Sequence, residues 1–198
     1  MVRKNSALSF VFVLILCFYC LAACGKEDEP ENNSISTESD VQDIDSIKGT
    51  DYDTGIVKVS VPEGWNAFDV RKPMSDGSKE TDPNFLSIVK GEKNHVLYCN
   101  ILIGYYGTRD TGLEFDRGFY ENIAEITPFE AAGYSWTGFD CEDKMSGSKY
   151  TIIEGKKDDK SIKVTVKKTD GYNNSEIEFY DKDVQHIINS IEIRPSFE

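Results

Sequence analysis

The first 24 residues constrain the fold most, because they mark a segment that does not belong to the folded protein. Arg3 and Lys4 precede an apolar stretch from Ala7 to Tyr19, and small residues then lead to Cys24. This order of positive, apolar and small-residue regions is typical of an export signal. The apolar stretch only reaches the bottom of the length range for a membrane-spanning helix, and no basic stop-transfer cluster follows it. The sequence therefore predicts that residues 1–23 form a signal peptide that is removed.

The end of this segment reads Leu21-Ala22-Ala23-Cys24. These four residues resemble the lipobox of bacterial lipoproteins, and their position after the apolar stretch matches that family. The resemblance implies that a diacylglycerol is attached to the Cys24 thiol and that cleavage makes Cys24 the first mature residue. Because one acyl chain binds membranes only marginally, at about 0.8 kcal/mol per buried CH₂, stable attachment needs a second chain such as palmitate. We therefore expect a lipoprotein anchored on the extracytoplasmic face of the cell membrane.

Length and charge limit what the rest of the chain can be. Residues 24–49 are acidic and contain no aromatic side chain, which predicts a flexible linker. Residues 50–198 have the usual size of one domain. Loss of Arg3 and Lys4 with the signal takes the formal net charge from −13 to −15, which opposes binding to nucleic acid and to anionic membrane surfaces. We expect one monomeric domain that is held at the membrane by its lipid alone.

Alternating and β-branched residues predict an antiparallel sheet. Strands are expected at residues 55–61, 65–70, 85–90, 95–106, 134–141, 149–155 and 161–169, with a short last strand at 191–193. A polar loop is expected at residues 71–84, since this segment contains Gly and Pro.

Two helices are also predicted. The first begins with a capping box at Thr111-Gly112-Leu113-Glu114 and carries an apolar stripe of Phe115, Phe119, Ile123 and Ile126 before Pro128. The second covers residues 181–190 and buries Val184, Ile187, Ile188 and Ile191. Because such stripes must be covered, we expect an α+β fold with both helices packed on the sheet.

Two short motifs support a family resemblance. Val61-Pro62-Glu63-Gly64-Trp65 near the start and Ile187-Ile188-Asn189-Ser190-Ile191 near the end resemble the PsbP-like fold. The resemblance covers residues 50–198. It implies an αβα sandwich, with two helices on an antiparallel sheet, and a non-catalytic accessory or binding domain. No binding residue of that family maps onto this sequence.

The sequence contains few residues in catalytic patterns. The motifs G-x-S-x-G and H-E-x-x-H and the P-loop are absent. The histidines, His95 and His186, lie on a predicted strand and on a predicted helix, where His186 falls off the buried stripe and is expected to be solvated. We therefore expect a non-enzymatic module without a cofactor or metal, whose partner is an unidentified protein or small molecule. The alternative is a surface enzyme whose site is built on His95 or His186, which would need a buried carboxylate beside the histidine.

Cysteine usage leaves one pair open. Cys17 and Cys20 lie in the predicted signal peptide and Cys24 is assigned to the lipid, so Cys99 and Cys141 remain. Both are predicted to face the core. They form either a disulfide, which the export compartment permits, or two buried thiols, depending on whether strand order brings their Cα atoms within about 7 Å.

Three aromatic residues are candidates for a ligand-facing surface, namely Tyr105, Tyr106 and Trp136. They follow or lie near glycines, where large rings can stay partly exposed. The alternative is that they are core or rim residues, which is the commoner role of buried aromatic rings.

Overall fold

The structure is a computed structural model and describes residue 44 and residues 46–91, 99–168 and 176–194. The chain divides into two units, Met1–Ser36 and Thr37–Glu198, and all described residues belong to the second. The predicted signal, the predicted lipid-attachment residue Cys24, most of the predicted linker and His95 lie outside the described residues. Within the described ranges, no helix has both the length and the apolar character needed to cross a membrane.

Over these ranges the chain forms eleven strands and two short helices. The strands are β1 (Gly49–Asp53), β2 (Val57–Pro62), β3 (Trp65–Pro73), β4 (Lys79–Lys90), β5 (Ile101–Gly107), β6 (Tyr120–Glu125), β7 (Phe129–Ala131), β8 (Tyr134–Asp143), β9 (Lys149–Lys157), β10 (Lys160–Lys167) and β11 (Glu192–Ile193). The helices are α1 (Leu113–Asp116), which continues as a 3₁₀ turn at Arg117–Phe119, and α2 (Lys182–Asn189).

The strands form two antiparallel sheets. The small sheet has the order β1-β2-β11, and the large sheet has the order β3-β4-β5-β10-β9-β8-β6, with β7 also paired to β8. Strands β6 and β7 pair with opposite ends of β8 and together form one edge. The predicted αβα sandwich is therefore wrong: the described chain is mostly β, and its two helices are too short to cover a sheet.

Most of the core lies on one face of the large sheet, here called the core face. Along β10, apolar side chains on the core face alternate with polar side chains on the other face, as the sequence predicts. The apolar ones, Ile162, Val164 and Val166, are fully buried. They join a cluster that also contains the buried valines of β2 and the apolar side of α2. The small sheet and α2 thus supply the apolar surface that the core face needs.

Helix α2 confirms the second predicted helix. Its apolar side buries Val184, Ile187 and Ile188. Two hydrogen bonds fix its ends: the Trp65 indole donates to Asp183 at 2.9 Å, and the backbone N–H of Ser60 donates to the Ser190 hydroxyl at 2.9 Å.

The first predicted helix is wrong. Only one helical turn forms, and from Tyr120 the chain becomes a strand that pairs with β8. Most of the expected stripe is instead exposed: Phe115 is 73%, Phe119 55% and Ile123 38% accessible. Its last residue, Ile126, is buried in the main core. The backbone groups on the edge of β8 need partners, and β6 supplies them, so sheet pairing overrides the helical periodicity.

The predicted capping box is also absent. Gly112 is the N-cap residue, with φ 72°, and no side chain caps the helix. The Thr111 hydroxyl donates instead to the buried Glu154 carboxylate at 2.6 Å.

The polar loop predicted at residues 71–84 is mostly strand. β3 and β4 pair as far as Pro73 and Lys79, with an irregularity between Asp69 and Arg71. The remaining turn is closed by the Met74 N–H, which donates to the Ser78 carbonyl at 2.8 Å. Charged residues occur here because this end of the hairpin is exposed on both faces.

A candidate ligand cleft on the distal face

The face of the large sheet opposite the core, here called the distal face, is continuous across six strands. The strand registers place one row of side chains across it, in the order Phe68, Ser87, Leu102, Thr165, Ile152 and Phe139. The row begins at the edge strand β3 and ends at β8. Its two halves are covered differently.

The α1 segment covers the half formed by β8 and β9. Leu113 packs against Phe139 and Ile152 in a second buried cluster. The Lys163 ammonium holds the segment in place, because it donates to the Thr111 carbonyl at 2.7 Å and to the Asp116 carboxylate at 2.8 Å. This half of the distal face is therefore a small additional core.

The half formed by β3, β4 and β5 carries a cleft of about 750 Å³, within the range of small-molecule sites. Its lining comes from β3, from the neighbouring strands and from Tyr52 of β1. The residues are Tyr52, Phe68, Asp69, Val70, Arg71, Lys79, Ser87, Cys99 and Leu102.

The interior of this cleft is apolar apart from one hydroxyl. Phe68, Val70 and Leu102 are half-buried and supply aromatic and aliphatic surface. Ser87 is 4% exposed, and its Oγ lies buried without a hydrogen-bond partner among the described residues. Since a buried hydroxyl without a partner costs about 1–3 kcal/mol, Ser87 is an unmet polar group in an otherwise apolar site.

Charged groups lie at one end of the cleft. Arg71 and Lys79 are exposed and have no ion-pair partner among the described residues. Asp69 accepts a hydrogen bond from the Tyr52 hydroxyl at 2.9 Å. Burial and then this contact raise the pKa of Tyr52 to about 12, so the phenol stays protonated at neutral pH. With Arg71 and Lys79 positive and Asp69 negative, the lining has a net charge of +1.

The two cysteines are free thiols in different places. Cys141 is buried beside Phe139, as predicted, and burial raises its pKa to about 12. Cys99 does not join the core; it is half-buried and lines the cleft. Cys99 lies two residues before β5, and strands β9 and β10 lie between β5 and the Cys141 strand β8. Three strand spacings of about 4.8 Å therefore separate the two cysteines, or about 14 Å. A disulfide between them cannot form.

The three predicted aromatic candidates lie outside the cleft. Trp136 is fully buried and donates to the Ala131 carbonyl at 2.9 Å, so it is a core residue. Tyr105 packs against the core. Tyr106 lies on the distal face, where its ring meets the Phe85 ring edge to face with the ring centroids 5.7 Å apart. The Lys163 ammonium lies 5.4 Å from the centroid of the Tyr106 ring.

His186 is half-buried rather than solvated. Its Nδ1 lies 3.3 Å from the Ile44 carbonyl and its Nε2 lies 2.9 Å from the Ser60 hydroxyl. Because the carbonyl can only accept, the tautomer that fits both contacts carries its proton on Nδ1 and accepts the Ser60 proton at Nε2. Gly49 packs so closely on this pair that a Cβ there would overlap Ser60 Oγ. The contacts join α2 to β2 and engage the Ser60 hydroxyl.

One other buried polar group, the Glu154 carboxylate, is also structural. The buried Glu154 carboxylate is satisfied by Thr111 and by Lys156 at 2.8 Å. In the described ranges, no group of three or more His, Cys, Asp or Glu side chains is arranged to hold a metal ion.

Sequence reasoning missed the cleft because its residues fall on segments that read as a polar loop and as separate strands. Phe68, Ser87 and Leu102 share one face only once the register of β3, β4 and β5 is known. Ser87, in the alternating run that ends β4, was the one available signal, since a hydroxyl within an apolar strand needs a partner.

Comparison with known proteins adds little to this description. No protein-family model and no curated protein matches the chain. Among solved structures, a protein from Bacteroides thetaiotaomicron VPI-5482 is similar at 9% identity and a TM-score of 0.42. The match covers 76% of this chain and 50% of that one.

Proposed function

We propose that the protein is a lipid-anchored, extracytoplasmic lipoprotein whose domain binds a small ligand in the distal cleft without catalysing a reaction. The observation that carries the binding role is the cleft itself, with its apolar lining and the unpartnered Ser87 hydroxyl. The lipobox at Leu21 to Cys24 supports the anchor. The close packing around Ser60 and His186 supports a structural role for the one histidine that the structure describes.

Lipid attachment is tested by mass spectrometry of the mature N-terminus. The wild-type protein is expected to begin at Cys24 with acyl chains attached, and Cys24→Ala is expected to abolish both the cleavage and the lipid. A wild-type N-terminus without lipid, or one beyond Cys24, would overturn the anchor.

Ligand binding is tested through Cys99, because this thiol lines the cleft. In the full-length protein, N-ethylmaleimide is expected to label Cys99 and to spare Cys141, as identified by peptide mapping. A neutral apolar probe, 2-naphthamide, is expected to slow labelling of Cys99 by occupying the cleft. The change Phe68→Ser should remove this protection, whereas Phe119→Ser, an exposed phenylalanine outside the cleft, should leave it unchanged. Equal protection in both variants, or none in the wild type, would refute binding in the cleft.

A further inference from the structure

The charged end of the cleft has the opposite sign to the chain as a whole. The protein has a formal net charge of −13, and some cations near the large sheet are held in ion pairs: Lys72 pairs with Glu80 at 3.3 Å and Lys168 with Asp140 at 3.1 Å. Arg71 and Lys79 line the cleft and pair with no described acid. A positive site on an acidic protein selects its ligand by charge.

The register explains why the two cations act at one place. Pro73 pairs with Lys79 and Arg71 pairs with Thr81 across the β3–β4 hairpin. Arg71 and Lys79 are therefore diagonal neighbours on adjacent strands, within reach of each other's long side chains. The acid in the lining, Asp69, accepts the Tyr52 hydroxyl and forms no ion pair with either cation.

We infer that the ligand is an organic carboxylate with an apolar body, with its anionic group bound by Arg71 and Lys79. The apolar body lies against Phe68, Val70 and Leu102, and the cleft volume suits a body of about ten or more carbon atoms. An arginine fork gives a carboxylate two parallel donors, and a lysine adds a point charge. This inference rests on the proposed binding function and specifies the chemistry of its ligand.

The test compares two probes of nearly equal shape, 2-naphthoate and 2-naphthamide, in the full-length protein. The measured quantity is the probe concentration that halves the rate of Cys99 labelling by N-ethylmaleimide. The anion is expected to protect at about a tenfold lower concentration than the amide, since exposed cations contribute moderately to an apolar site.

Variants that remove charge test whether Arg71 and Lys79 cause the preference for the anionic probe. Arg71→Gln with Lys79→Gln should make the two probes protect Cys99 at the same concentration, because the charge that favours the anion is removed. Lys48→Gln with Lys160→Gln removes the same number of charges outside the cleft and should keep the preference. Both side chains of the first pair are exposed, so this variant is expected to fold normally.

The outcomes separate this inference from the proposed function. Protection by both probes at the same concentration would refute the carboxylate inference and leave a neutral apolar binding site. Failure of both probes to protect Cys99 would overturn the binding function as well. A preference for the anion that persists without Arg71 and Lys79 would also refute the assignment to these residues.

Discussion

At the scale of single residues, two glycines in the described chain differ in how much space surrounds a side chain added to them. A Cβ on Gly155 would lie 2.9 Å from ring atoms of Trp136, which is itself fully buried. A Cβ on Gly118 would meet nothing within 4 Å. Because an interior has little room to adjust, the first site cannot accept a methyl group without moving the indole.

This contrast gives a stability prediction. Gly155→Ala should lower the free energy of unfolding by about 1–3 kcal/mol, the usual cost of overpacking a core. Gly118→Ala should leave it unchanged or raise it slightly, since alanine reduces the freedom of the unfolded chain. Urea unfolding of both variants measures the difference, and equal stabilities would show that Trp136 is not packed as described.

Buried phenols and a thiol predict how stability depends on pH. Burial is the largest cause that raises the pKa of Tyr52, Tyr120 and Cys141 to about 12, from ordinary values of 10.0, 10.0 and 9.0. The unfolded chain therefore loses these protons first, and rising pH favours unfolding. The stability from these groups is fully present below about pH 9 and is lost between about pH 9 and 12.

Urea unfolding at pH 8 and pH 11 tests this dependence. Tyr52→Phe should weaken the loss of stability between the two pH values, because it removes one of the titrating groups. Tyr180→Phe is the control, since that ring is 70% exposed, and it should follow the wild type. A wild-type stability that does not fall between these pH values would contradict the burial of the three groups.

At the scale of elements, the α1 region shows that strand pairing can override a helical pattern in the local sequence. Phe115 and Phe119 have helical spacing, yet they lie exposed and in edge contact at 5.2 Å. Leu113 is the residue of α1 that is buried, at 6% exposure. Replacement of Leu113 by Ala should therefore cost about 2–5 kcal/mol.

Phe115→Ser is the matched variant, and it should cost less than about 1 kcal/mol because its ring is mostly in water. The comparison is made by thermal or urea unfolding. If Phe115→Ser destabilised the protein as much as Leu113→Ala, the segment would pack as the amphipathic helix that the sequence predicts.

The same region shows which parts of the fold can be predicted from sequence. Strict alternation on β10 and the apolar side of α2 each follow from local periodicity, and both predictions are confirmed. The pairing of β6 with β8 and the extension of β3 and β4 depend on partners distant in sequence, which local pattern does not encode. The cleft requires that register, so only its individual residue types could be read from the sequence.

At the scale of the whole molecule, the contact between His186 and Ile44 marks where the folded part needs the preceding chain. Deletion of residues 25–43 should leave Tm within about 2 °C of the wild type, since it keeps the Ile44 carbonyl. Deletion of residues 25–48 removes this acceptor and should lower Tm by a few degrees, as expected for the loss of one hydrogen bond. Differential scanning calorimetry distinguishes the two.

The central claim is that the distal face carries a binding cleft on one half and a small core on the other. Its most direct test is a titration of the full-length protein with 2-naphthoate, followed by amide ¹H–¹⁵N chemical shifts. The shifts should concentrate at Phe68, Ser87 and Leu102, while Phe139 and Ile152, on the same row of the sheet, stay unchanged. Shifts centred on the exposed Phe115 and Phe119, or no shifts at all, would contradict the claim.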